Sequence, residues 1–166
     1  VTDEDAQLPN ELITRYDAYQ FINNDEKNLV GLGRIWVENQ SFYNEKNITL
    51  HTHSAIQPTD VIRYKAKVIG YGSNGNQLNM SINAQNNSTF NIPSNATGFF
   101  PMEYAGTVVN QQGNQISFQL TPNISANPNG VFYLDYVEVQ YKENLSFNGS
   151  QMNFRDYNID SGTGTL

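Results

Sequence analysis

His51 and His53 stand two residues apart in Leu50-His51-Thr52-His53. On a strand both rings project from one face, as two metal ligands would, because side chains alternate with period two. A zinc site needs three or four ligands. No third ligand at matching spacing, no His-Glu-x-x-His and no cysteine accompany the pair, so the pattern reads as two solvated strand histidines. No Gly-x-Ser-x-Gly surrounds any serine, so a hydroxyl nucleophile has no recognisable context. Gly31-Leu32-Gly33 is a Gly-x-Gly without the third glycine or following helix of a phosphate cradle. A bulge or a close backbone approach is the expected role of these glycines. Asp3-Glu4-Asp5 and Asn23-Asn24-Asp25-Glu26 offer oxygen atoms of the kind calcium takes, without the spacing of an EF-hand loop. Asp25 is thus a calcium candidate beside a plainer reading as solvated loop charge. Trp36, the only tryptophan, is read first as core and second as a sugar-stacking ring.

The elements that must position these residues are strands. Ile62, Tyr64, Ala66 and Val68 fall on one face of a period-two run, with Arg63, Lys65 and Lys67 on the other. Leu78, Met80, Ile82 and Ala84 form a second inward set, and Ile116, Phe118 and Leu120 a third. Turns are expected at 73–76 and 86–88, where Asn, Ser and Gly cluster. The run 131–141 is apolar on both faces at its start, as a central strand is. Further strands are expected at 16–22, 32–37, 47–54, 88–93 and 104–109, with one helical turn near 24–29. Eight or nine short strands at this spacing predict an all-β, antiparallel two-sheet sandwich of the jelly-roll, galactose-binding-like kind.

Composition narrows the function classes. The 166 residues fit a single domain over 1–166, with 1–14 and 160–166 as flexible ends, read as a piece of a longer chain. Charged residues make up 15%, against about a quarter in average soluble proteins, and the net charge is −7. Such a charge works against binding nucleic acid, where affinity comes from neutralising phosphates. No apolar run reaches the length of a membrane span. Asn-x-Ser/Thr sequons at Asn47, Asn95, Asn123 and Asn148 matter only in a eukaryotic secretory pathway.

Two stretches resemble a known family. In 21–42, Asp25, Glu26, Asn28, Leu29, Gly33, Arg34, Trp36 and Phe42 follow one another as near the N-terminus of the PorU family, gingipain-like cysteine peptidases acting as sortases of type IX secretion. In 132–159, Leu134, Asp135, Tyr136, Val137, Glu138, Leu145, Gln151, Met152, Phe154 and Arg155 match in the same way. The segment Trp36-Val37-Glu38-Asn39 departs from the family's usual Trp-aromatic-Gly-Glu.

The resemblance implies a non-catalytic accessory β-sandwich before a peptidase domain that carries the Cys and His. It also implies an outer-membrane surface location in a diderm bacterium, with the downstream peptidase domain as partner and a protein substrate or glycan as further partners. No cofactor follows from it. The strand from Phe132 to Val139 also resembles the last strand of galactose-binding-like domains, some of which hold a structural calcium with an Asp placed like Asp135. A carbohydrate-binding module is the alternative reading. Trp36, Tyr43, Tyr71 and Tyr104 are the expected binding or interface aromatics, and a coplanar exposed pair among them would favour sugar. A large bare apolar patch would favour the accessory reading. The clustering of matched residues predicts one shared surface near Trp36, Tyr43 and Lys142.

Overall fold

A computed structural model describes residues 14–29, 33–72, 74–109 and 113–146, apart from the side chains of Asn86 and Asn87. Among the described residues ten strands run in order: β1 (Arg15–Asn23), β2 (Lys27–Asn28), β3 (Trp36–Val37), β4 (Lys46–Ile56), β5 (Val61–Tyr71), β6 (Gln77–Ile82), β7 (Gln85–Asn91), β8 (Phe99–Val109), β9 (Gly113–Asn123) and β10 (Val131–Asn144). The first sheet has the order β1-β10-β5-β8 and the second β4-β9-β6-β7, both antiparallel, while β2 and β3 form a separate small ladder. Apart from the β6–β7 hairpin, consecutive long strands alternate between sheets, which is the winding of an eight-stranded jelly roll.

Period two explains why the sheets close on each other. Ile62, Tyr64, Ala66 and Val68 of β5 face Leu78, Met80 and Ile82 of β6 and Ile116, Phe118 and Leu120 of β9 in one core, each at most 3% exposed. Every one of the ten belongs to the apolar sets read from the alternation. β10 is the longest strand and lies between β1 and β5, as its two-sided apolar start requires. Tyr64 needs room on the opposite strand. It pairs with Gly106, where an added Cβ would come within 2.6 Å of the tyrosine hydroxyl.

The fold departs from expectation at four local places. Residues 24–29 form no helical turn: Glu26 N–H donates to Val37 O, Asn28 Nδ2 donates to Gly33 O and Ile35 O, and Leu29 is buried. These bonds hold a small hairpin whose Leu29 and Val37 pack on Ile69 and Tyr133, outside the main core. The expected 86–88 turn lies at Asn83-Ala84 instead, both with positive φ (49° and 57°), as a two-residue type I′ hairpin requires. Ala84 is therefore exposed rather than inward. Trp36 is 46% exposed, because Val37 takes the inward side of the two-residue strand. Gly33 has φ 66° and nothing within 4 Å of an added Cβ, so it serves a turn and not a close approach. Gly31, Leu32, Ser73, the Asp3-Glu4-Asp5 cluster, Asn148, the matched residues from Gln151 on and the two expected flexible ends lie outside the described residues, except Thr14.

Candidate binding face

The first sheet turns one face to the core and the other outward. Across that outward face the register aligns three rows. Tyr19, Gln140, Arg63 and Thr107 form one, Phe21, Glu138, Lys65 and Ala105 the next, and Asn23, Tyr136, Lys67 and Glu103 the third. Tyr19 and Phe21 sit two apart on β1, so both rings share the outward side, 55% and 47% exposed. Their planes are 11° apart with centroids at 6.4 Å, and Phe21 also meets Tyr136 at 5.5 Å. Beside these rings an open trough of about 300 Å³ runs along β5, lined by Arg63, Lys65, Ala105, Glu138 and Gln140 with Tyr64 and Val139.

Every lysine on this face is paired. Tyr136 Oη donates to Glu103 Oε2 at 2.6 Å, and Lys65 Nζ lies 3.1 Å from Glu103 Oε1. The Glu103 carboxyl consequently sits below the usual range, first through the Tyr136 hydroxyl and then through Lys65. The Tyr136 hydroxyl is pushed up to about 12, first by burial and then by its bond to Glu103. Lys67 pairs with Asp135 at 2.7 Å, Lys142 with Asp17 at 3.1 Å, and Tyr19 Oη donates to Glu138 at 3.3 Å.

The four aromatics singled out from sequence do not assemble. Tyr71, 45% exposed, packs on Phe99 at 4.5 Å with planes tilted by 36°, at the far end of the same outward face. Tyr104 points to the core side and packs on Tyr64 and Phe90 at the rim of the sandwich. Trp36 lies on the β2–β3 hairpin and Tyr43, 58% exposed, in the loop that follows. No two of the four stack on each other among the described residues. Nor do Trp36, Tyr43 and Lys142 share a surface. Phe42 pairs with Phe132 and Glu38 N–H donates to Leu134 O, at the start of β10, whereas Lys142 lies roughly 25–30 Å further along the strand. The matched stretches cluster for an internal reason: the first is clamped onto the beginning of the second.

Asp25 is exposed, and Asp135 sits at a bulge in β10 with its carboxylate on Lys67. Among the described residues no three His, Asp or Glu side chains gather as a metal site. His51 and His53 are both exposed on β4, His51 in register with Gln115. The residues missed from sequence are Tyr19, Phe21 and Tyr136. The first two were visible as an i, i+2 pair; joining them to Tyr136 required the register of β1 against β10.

No family model matches the chain, and no curated protein matches it. Solved structures do. The crystal structure of dimeric latent PorU from Porphyromonas gingivalis matches with a TM-score of 0.67 at 16% identity, over 95% of this chain and 15% of that chain. The chain shares its fold with a part of PorU. It spans only that 15% of PorU's length, so the sequence resemblance and the fold agree while the activity of the whole protein does not carry over. CBM35 from Cellvibrio japonicus Abf62 matches with a TM-score of 0.44 at 12% identity, over 84% of this chain and 99% of that one.

Proposed function

We propose that this chain is a non-catalytic accessory β-sandwich of a larger extracytoplasmic protein of the gingipain-like peptidase kind, at the outer-membrane surface of a diderm bacterium. It docks on the peptidase domain by its hairpin end and holds what that domain acts on against its outward first sheet. The observation that carries this reading is the segregated outward face. Tyr19 and Phe21 lie in the open with half-buried Tyr136 against them, where a lone soluble sandwich would place polar side chains. The likeness to a 15% portion of PorU supports a module within a longer chain. Trp36 and Tyr43, exposed on and just after the small hairpin, are the aromatics for the neighbour to cover, since interfaces are enriched in such rings.

Hydrogen exchange of the chain, alone and joined to its adjoining segment, tests this. Added protection over 35–44 and a raised Tm are expected in the joined form. Identical melting and exchange in both contexts would overturn the accessory role. The near-parallel Tyr19–Phe21 pair also favours a second reading, a carbohydrate-binding module.

A further inference from the structure

We propose that the outward face of the first sheet binds a glycan chain: Tyr19 and Phe21 stack on sugar rings while Gln140, Arg63, Glu138 and Lys65 hydrogen-bond the hydroxyls. This rests on the reading of that face as a recognition surface and names its ligand class. A pyranose ring is amphipathic, with a C–H face of slight positive character and a rim of hydroxyls. Such a ligand needs an aromatic face, whose π cloud is negative, and hydrogen-bonding groups within one ring's width. The outward rows supply both at the spacing of adjacent strands, about 4.8 Å. Tyr19 is followed across the sheet by Gln140 and Arg63, and Phe21 by Glu138 and Lys65.

The trough adds depth where the second sugar edge would lie. Its volume of about 300 Å³ is at the lower end of small-ligand sites, and Ala105 on β8 leaves it open on the far side. Arg63 is exposed and, among the described residues, forms no ion pair, so its guanidinium is available to sugar oxygens or to an acidic substituent.

Other occupants fit less well. The centre of a protein interface is depleted in charge, yet here Lys65, Lys67, Glu103 and Glu138 interleave with the three rings. Nucleic acid would need unmatched cations, and Lys65, Lys67 and Lys142 each face a carboxylate.

Affinity electrophoresis of the 166-residue chain through native gels, each containing xylan, mannan, mixed-linkage glucan or polygalacturonate, tests the proposal. Retardation is expected in at least one gel. There, Tyr19→Ala/Phe21→Ala should weaken binding about tenfold or more, as loss of a ring stack does in other ligands, with circular dichroism and Tm unchanged. Arg63→Ala should weaken it too, and Gln119→Ala on the second sheet should leave it alone. Unaltered migration in all four gels, or equal retardation of the double variant, overturns the glycan site. The accessory role is scored separately: protection over 35–44 in the joined form leaves it standing when the gels are negative. Protection over 19–21 by the adjoining segment would assign this face to protein and also overturn the glycan site.

Discussion

The two outward faces of one sandwich differ in kind. On the second sheet the register aligns Asn47 with Gln119, Thr49 with Ser117, His51 with Gln115, Thr121 with Asn79 and Gln77 with Asn91. These paired positions hold amides, hydroxyls and one imidazole, without a carboxylate, an ammonium or a Tyr, Phe or Trp ring. On the first sheet the outward positions include Asp17, Glu103 and Glu138, then Arg63, Lys65, Lys67 and Lys142, and the three rings. Among the described residues at least four cationic side chains are thus on that face. The low charge of the chain is therefore uneven: one outward face is neutral and polar, whereas the other gathers charge and aromatic surface. Exposure alone would not separate them, since both are solvent-facing. Residue chemistry in register does.

The contrast can be broken from the inside outward. Phe118→Ala or Ile82→Ala removes core shared by both faces and should cost about 2–5 kcal/mol through lost transfer and a cavity. Urea unfolding reads it, and a loss under about 0.5 kcal/mol for both would contradict the shared core. Gly106→Ala, beneath the first face, should cost about 1–3 kcal/mol by overpacking, because its Cβ meets the Tyr64 hydroxyl and ring. Tyr64→Phe in the same chain should restore part of the loss, and no restoration would show that the contact is not the cause.

Titration sharpens the contrast further. Asp60 lies beside the first sheet. Its carboxyl is held below 3.8, first by hydrogen bonding to Arg15, which reaches it from β1 at 2.8 Å. A depressed folded value means that this stabilisation is present above pH 3.8 and lost as pH falls below it. Thermal melts between pH 5 and 2 should show less acid sensitivity in Arg15→Ala than in the parent; equal sensitivity would exclude the pair. At the other extreme, burial first and then Glu143 push the buried Tyr141 hydroxyl up to about 12. Its contribution is complete below pH 10 and lost as pH rises toward 12, a loss that Tyr141→Phe should reduce. Gln119→Ser on the neutral face should change stability by less than about 0.5 kcal/mol, and a loss beyond 1 would show that this face carries more than water.

Much of this was legible in the residues themselves. Period two placed the ten main-core residues of β5, β6 and β9, because a strand's side chains alternate whatever its neighbours do and burial follows the apolar set. It also placed β10 centrally. The local misreadings share a cause. Asn24–Leu29 carries a helix-like mixture of residues, yet Asn28 finds better acceptors at Gly33 and Ile35. The turn moved from Asn86–Ser88 to Asn83-Ala84 because the pairing of Ile82 with Gln85 fixes it there. Trp36, though apolar, was left outside because its neighbour Val37 won the single inward place.

Sequence by itself determined the strand pattern, the inward faces and the jelly-roll class, since each follows from alternation within a strand and turn chemistry between strands. Only the tertiary structure decided which distant residues share a surface. Tyr19 joins Gln140 and Arg63, Lys142 parts from Trp36, and Asp135 meets Lys67. The physical reason is that strand register and sheet order are set by many simultaneous contacts across the chain, and no local run of residues encodes them alone.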